Sequence, residues 1–243
     1  MNWHPRYLQQ AVWTRGLRDY VFDKAKLSGA GRVLEVGSGT GAILSTLQTS
    51  AVLHGLDLDA AALSEAHLHA RTACLARGDA HFLPYPNQSF DITYCHFLLL
   101  WVKDPFQVLL EMKRVTRLNG YVLALAEPDY TARTDQPDEL LPLGRLQNES
   151  LERQGADIGL GAHLADLFFR AGLAFIETGP IQSRGNEAGS AGEWQAEWDV
   201  IESDLAGLLS EKEIARWKKL DEEAHLRGTR LLNVPTYFAW GQV

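Results

Sequence analysis

Three glycines at alternate positions, in Gly37-Ser38-Gly39-Thr40-Gly41, follow directly on the apolar run Arg32–Val36 (RVLEV). Glycine permits left-handed backbone and close approach to a ligand. A strand that ends in such a loop and reopens as a helix turns unpaired amides towards a polar or anionic guest. Glu35 stands just before the loop, and Asp57 lies 20 residues after Gly37, at the end of a second apolar run. That spacing sets a carboxylate beside the loop, where it can accept hydrogen bonds from a ribose. Walker-type phosphate binding is excluded, because no GxxxxGK[ST] pattern is present. Dinucleotide binding stays open, since Gly37, Gly39 and Ala42 formally satisfy GxGxxG/A. Glu35 favours a third reading, a nucleoside ligand without a pyrophosphate. A carboxylate there repels a pyrophosphate and suits an ammonium group.

The rest of the chain supplies a frame for this loop. Arg6–Phe22 reads as one helix, with Leu8, Val12, Leu17 and Val21 in an approximate stripe and Arg6, Arg15 and Arg18 interspersed. Strands are predicted over 32–36, 51–56, 73–77, 90–97 and 121–126, with helices over 42–47, 60–70 and 105–117 between them. Strands alternating with helices predict a parallel sheet covered on both faces. Helices over 138–153 and 160–171 and a strand over 174–181 follow. Trp194, Trp198, Ile201, Leu205 and Leu208 recur at helical spacing. Ser210-Glu211-Lys212-Glu213 is a capping-box pattern opening a second helix that carries Ile214, Trp217 and Leu220. Thr236–Val243 reads as the last strand. The expected organisation is one domain over 1–243: a helical cap (1–30), an α/β core (31–185), a helical insertion or lid (186–232) and a final strand (233–243).

Composition narrows the function. A chain of 243 residues, 46% apolar and 22% charged, can bury a core without disulfides. Cys74 and Cys95 belong to no close ligand cluster, which excludes a disulfide scaffold and a zinc ribbon. The net charge of −8 disfavours an extended nucleic-acid surface. The longest apolar stretches, such as Phe97–Val102, are too short to span a bilayer. The opening MNWHPRYLQQ has no apolar signal core. A cytoplasmic location is expected, with no nucleic-acid partner and no membrane span. No metal is expected either, because the carboxylates at the strand ends lack a ligand set.

Four stretches, in order, resemble the class I S-adenosylmethionine-dependent methyltransferases. VLEVGSGTG (Val33–Gly41) is similar to their first motif and HGLDLD (His54–Asp59) to their second. Gly78–Pro105 resembles the passage through their third and fourth strands, and Glu111–Asp129 their fifth-strand region. Leu118-Asn119-Gly120 stands where the family often has Pro-Gly-Gly. The likeness is close over 31–129 and loose over 160–181 and the last strand. It implies a Rossmann-like α/β fold: a seven-stranded, mostly parallel sheet with helices on both faces and an antiparallel final strand, here preceded by a helical insertion. It implies S-adenosyl-L-methionine as cofactor and S-adenosyl-L-homocysteine as product. By the same resemblance Gly37, Ser38, Gly39, Thr40 and Gly41 pass beneath the methionine part, and Glu35 helps hold its amino end. Asp57 binds both ribose hydroxyls and Leu58 packs on the adenine. Gly78, Asp79 and Ala80 edge the adenine, with Asp79 accepting from its amino group. Cys95, His96 and Phe97 lie near the sulfonium. Tyr7 and Arg15 are candidates to close over the cofactor.

The chemistry so implied is an in-line displacement at the sulfonium methyl, for which alignment can contribute up to about 7–11 kcal/mol. A general base is needed only when the acceptor arrives protonated. His96 is the candidate by position; the alternative is a polar residue lining the pocket. Glu127, Asp129 and Tyr130 follow the fifth strand, where they either bind an acceptor or finish the strand in solvent. Trp13, Trp194, Trp198 and Trp217 are candidates for an apolar acceptor pocket, although the helical spacing of the last three better suits packing of the insertion onto the core. Cys95 reads as a packing residue and Asp91 as a group that orders local backbone. The expected activity is methyl transfer to oxygen, nitrogen or carbon of a small molecule, by a monomer or homodimer. The alternatives are an NAD-dependent oxidoreductase and a non-catalytic nucleoside-cofactor-binding protein.

Overall fold

A computed structural model of the chain describes residues 4–181 and 191–243. Five strands form the parallel part of a seven-stranded sheet: β1 (Arg32–Val36), β2 (Val52–Asp57), β3 (Cys74–Arg77), β4 (Phe90–Cys95) and β5 (Thr116–Pro128). They pair in the order β3-β2-β1-β4-β5, and β9 (Thr236–Gln242) and β7 (Ala174–Pro180) complete the far edge. β9 runs antiparallel to both of its neighbours. The mostly parallel sheet and antiparallel final strand are as the sequence led us to expect. Chain order reverses between β1 and β4, so a crevice opens outside their carboxyl ends, where open α/β sheets bind ligands.

Helices cover both faces, which is why runs such as Val122–Ala126 can be apolar throughout and fully buried. Leu34, Val36, Val122 and Ala124 face α4 (Pro105–Val115) and α6 (Leu160–Arg170). Val33, Leu123 and Leu125 point the other way, into a cluster with Val21 and Phe22 of α2 (Arg15–Lys24). The period of two along each strand thus feeds two cores at once.

Several local expectations fail. The single helix over 6–22 is two, α1 (His4–Trp13) and α2, hinged at Thr14. The Thr14 hydroxyl donates back to the Gln10 carbonyl at 3.2 Å, a bond that competes with regular helix. The helix over 42–47 is only a 3-10 turn, Leu44–Thr46. There Ser45 and Thr46 donate their hydroxyls to the carbonyls of Ala42 and Ile43, and Thr49 and Ser50 then lead into β2. The loop therefore does not open a helix, and the anion-binding argument built on a helix amino terminus loses its helix. α3 (Ala60–His69) forms as expected, capped by Asp59 accepting from the Ala61 amide at 2.8 Å.

The insertion, whose residues 186–190 lie outside the described residues, folds as α7 (Ala191–Leu205) and α8 (Glu211–Leu226). The capping box at Ser210 and Glu213 is present. Its apolar face does not pack chiefly on the sheet. Trp194, Trp198, Ile201, Leu205 and Ile214 build a third cluster with Leu140 and Leu143, at the head of α5 (Leu141–Arg153). A small sheet of β6 (Thr134–Gln136) and β8 (Leu231–Asn233) ties the same two segments together. Three-residue strands as polar as Thr-Asp-Gln carry no periodicity signal, so the sequence did not announce them. Among the described residues no helix is long and apolar enough to cross a membrane.

Candidate active site

The glycine loop turns sharply at all three glycines, with φ of +74° at Gly37, +51° at Gly39 and +74° at Gly41. A side chain at Gly37 would also strike Leu98, its Cβ lying 2.6 Å from a Leu98 methyl carbon. Only glycine combines that angle with that proximity. The Gly37 and Ser38 amides both reach the Leu56 carbonyl, at 2.8 and 3.0 Å. The Gly39 amide donates to Asp57 Oδ2 at 2.7 Å, and Asp57 Oδ1 accepts from the Asp59 amide at 2.9 Å. Asp57 thus lies beside the loop, as its spacing predicted, with each oxygen oriented by one amide. A carboxylate has about four acceptor positions, so a pair remains for two further donors.

Helices α1 and α2 lie over this loop. His4 Nδ1 is 2.8 Å from the Thr40 hydroxyl. The Tyr7 ring comes within 3.4 Å of where a Gly39 side chain would begin. Thr14 Oγ1 sits 2.9 Å from His96 Nε2. Tyr7 therefore lies against the glycine loop. Arg15 does not: it is exposed on the outer side of α2, beside Trp13 and Tyr20. Arg18, three residues on, is the inward arginine, 4% exposed. One of its terminal nitrogens donates to the Ala11 carbonyl at 2.6 Å, while its Nε has no partner among the described residues. The signal was in the sequence: Ala11, Thr14, Arg18, Val21 and Ala25 recur at helical spacing and are all buried. An arginine on the apolar stripe of an amphipathic helix is a residue with a task.

Beneath Arg18 lies a buried acid. Glu35 is 2% exposed and accepts a hydrogen bond from the Tyr94 hydroxyl at 3.0 Å. Burial pushes its carboxyl up to about 8, against the Tyr94 bond and the nearby Arg18 charge, which pull it down. Glu35 thus sits beneath the loop with its proton close to balance near neutral pH. The Ser38 hydroxyl is also buried, with no partner among the described residues. These unmet groups, with the two open positions on Asp57, fit a ligand carrying a ribose at one end and a charged amino-acid moiety at the other.

The end of β4 supplies the floor. Phe97 adopts φ of +53°, a left-handed conformation uncommon for an aromatic residue, fixed by its amide donating to the Ala126 carbonyl at 2.9 Å. His96 packs edge-on against it, ring centres 4.7 Å apart. Burial, then the charge of Arg18, drives the His96 imidazole down to about 3, so it is neutral at physiological pH and a weak proton acceptor. Cys95 points into the core towards Glu127 rather than to the crevice, and burial pushes its thiol well up. On the other rim Asp79 is exposed and bonds His81 Nδ1 at 2.6 Å, with its carboxyl held down by the His81 backbone and ring. Ala80 is buried beside it, Leu58 is 63% exposed, and the Gly78 amide donates to the Asp57 carbonyl at 3.0 Å. Asp57, Leu58, Gly78 and Asp79 therefore form one continuous edge.

The acceptor residues fare differently. Glu127 is neither in solvent nor available to a substrate. It is fully buried, and its carboxylate accepts the amides of Leu98, Leu99 and Leu100 at 3.1, 3.1 and 3.2 Å. It satisfies the unpaired donors of the turn Leu99–Trp101, a capping role; burial lifts its carboxyl to about 7 against those bonds. Asp129, also buried, caps the turn after β5 through the Thr131 amide. Trp194 and Trp198 are buried, and both donate their indole N–H to Asp221 Oδ2 at 2.6 Å. They pack the roof, where an indole N–H taken into a core must find an acceptor. Trp13 is 41% exposed with the Arg6 guanidinium 4.6 Å above its ring. Tyr130 is half-buried against the main core, within reach of the Arg6 charge of α1. Burial, then Asp204, raises its hydroxyl, while Arg133 and Arg6 oppose the shift. Asp91 orders backbone as expected, accepting from the Gly31 and Arg32 amides at 2.8 and 2.7 Å.

Residues 34–124 match the family described as a methyltransferase domain, and the sheet built around them has the Rossmann-like methyltransferase fold. The chain is similar to the malonyl-[acyl-carrier protein] O-methyltransferase of Halorhodospira halophila, 32% identical over 127 residues, covering 49% of this chain and 43% of that protein. It is similar also to the ubiquinone/menaquinone biosynthesis C-methyltransferase of Xanthomonas oryzae pv. oryzae, 31% identical over 134 residues, covering 51% and 53%. The matches span about half the length of these relatives. Among solved structures, the [4+2]-cyclase SpnF shares the fold with a TM-score of 0.60 at 18% identity, covering 93% of this chain and 79% of that one.

Proposed function

We propose that the protein transfers the methyl group of S-adenosyl-L-methionine to an oxygen, nitrogen or carbon atom of a small molecule. The observation that carries this reading is the arrangement Gly37–Gly41, Asp57 and Arg18: a loop closed over by α1 and α2, a carboxylate with two acceptor positions left, and an inward guanidinium with an unmet Nε. Asp57 holds the ribose hydroxyls. Arg18 Nε–H lies on the amino-acid side, where it suits the cofactor carboxylate, and Glu35 braces the loop from beneath. Leu58 and Asp79 edge the adenine. A bound cofactor would supply an activated methyl carbon on a sulfonium leaving group, and the residues named above would hold it.

The residues around that carbon orient and exclude water rather than take a proton. His96 is neutral, tethered by Thr14, and forms a wall beside Phe97. Tyr130, in the turn that follows β5, is the residue we assign to hold the acceptor. The small-molecule class is supported by the relatives' acceptors and by the α5–α7–α8 roof. The glycine loop leads into a 3-10 turn, which argues against the dinucleotide alternative, whose pyrophosphate needs a helix amino terminus. Cys74 and Cys95 are free thiols, which fits a cytoplasmic location. A second reading deserves a test because a cyclase shares the fold: a cofactor-binding protein that does not transfer methyl. Calorimetry with S-adenosylhomocysteine and with NAD, followed by a radiolabelled methyl-transfer screen on small acids, amines and quinols, separates the three. Tight S-adenosylhomocysteine binding with turnover is expected; NAD binding in its place would overturn the proposal.

A further inference from the structure

Outside the crevice, α1 and α3 bring together three groups that share one chemistry. His4, Glu65 and His69 each offer a ligand atom, and these atoms all lie within 4.8 Å of one another. Glu65 and His69 are four residues apart on α3, hence on one face, with Oε1 and Nε2 at 4.0 Å. His4 comes from a distant part of the sequence and is buried at 7% exposure. Its Nδ1 is 2.8 Å from the Thr40 hydroxyl. A neutral imidazole that donates through Nδ1 carries its lone pair on Nε2. Such a bond to the far nitrogen is how metal-ligating histidines are oriented.

We propose that His4, Glu65 and His69 form a binding site for a divalent transition metal ion, which fastens α1 to α3 beside the glycine loop. Two imidazoles and one carboxylate suit zinc, cobalt, nickel or copper, and suit magnesium or calcium poorly. The set matches the three-ligand pattern that leaves a fourth position to water. The His4 and His69 rings are stacked 3.5 Å apart and 7° from parallel, so their lone pairs do not yet converge. His69 is exposed in the last turn of α3 and is the side chain able to swing. His4 is held by Thr40 and keeps its direction. Because Thr40 belongs to the loop, the ion ties cap, loop and α3 into one unit. This site lies apart from the methyl-transfer reading and does not depend on it.

The test uses the full chain after dialysis against a chelator. Cobalt(II) is titrated in and followed by visible absorption, with zinc(II) titrated in parallel by calorimetry. About one equivalent is expected to bind, with d–d bands far stronger than those of the aqueous ion, as a four-coordinate site requires. His69→Ala and Glu65→Gln are each expected to weaken binding at least about tenfold, since even outer-shell partners of metal ligands cost that much. Both residues lie on the surface of α3, so the fold should persist, and a melting curve checks it. His67→Ala, an exposed histidine of the same helix outside the cluster, is expected to bind as the unaltered protein does. Absence of saturable binding would overturn the proposal. So would His69→Ala binding normally, or His67→Ala losing as much as His69→Ala.

Discussion

Removing the Asp57 carboxylate should separate what holds the loop from what holds the ribose. Each Asp57 oxygen already accepts one amide, from Gly39 at 2.7 Å and from Asp59 at 2.9 Å. Two of roughly four acceptor positions remain, one for each ribose hydroxyl. Hydrogen bonds to an ionised acceptor contribute about 1.5–3 kcal/mol each. Two of them sum to about 3–6 kcal/mol, or roughly a 10²- to 10⁴-fold loss of affinity in Asp57→Ala. The loop itself should suffer less. Asp57 is only half-buried, so water can replace it on both amides. That costs about 1–2 kcal/mol, and the melting temperature should fall by about 2–8 °C. The assay is calorimetric titration with S-adenosylhomocysteine and with its 2′,3′-dideoxy analogue, on both proteins. The unaltered protein should prefer the natural ligand strongly, and Asp57→Ala should bind the two alike. If Asp57→Ala binds S-adenosylhomocysteine within about threefold of the unaltered protein, the assignment is wrong. If it loses equal affinity for both ligands, Asp57 acts by shaping the loop and the lone-pair reasoning fails.

Four further outcomes follow from the same geometry. His96→Asn should leave the shape of the pH–rate profile unchanged between pH 5 and 8, since the imidazole sits at about 3; loss of a limb near pH 6.5 would restore His96 as a base. Glu35→Gln should gain stability over the parent as pH rises from about 4.5 to about 8 and stay level beyond. A carboxyl raised from 4.5 to about 8 keeps its proton only in the folded state, so deprotonation costs up to about 5 kcal/mol across that window. Equal pH dependence of urea unfolding in the two proteins would contradict it. Trp198→Ala should cost about 3–5 kcal/mol while leaving KM for the acceptor unchanged; a raised KM with an unchanged melting temperature would make it a pocket residue instead. Glu127→Ala, which strands three amides at about 1–3 kcal/mol each, should unfold at a markedly lower urea concentration, and near-normal stability would refute its capping role.

The sequence by itself determined the sheet, the loop and the carboxylate beside it. Each rests on a local rule: period two on strands, positive φ at Gly37, and the length of one strand-loop-strand unit between Gly37 and Asp57. Cys95 as packing and Asp91 as a backbone anchor were legible for the same reason. What the tertiary structure decided are the groups whose meaning depends on which face they take and whom they meet. Glu127 follows β5 in sequence, but only the fold aims it at three amides of the turn after β4. Arg15 and Arg18 look alike in a list of residues, and the pitch of α2 sends one outwards and the other to Glu35 and His96. Trp194 and Trp198 were assigned by Asp221, 27 and 23 residues away. His4 met Glu65 and His69 because the fold sets the start of α1 against the end of α3, a juxtaposition across some 60 residues that no spacing rule records. Local order is written in neighbours along the chain, whereas burial and charge pairing are set by neighbours in space.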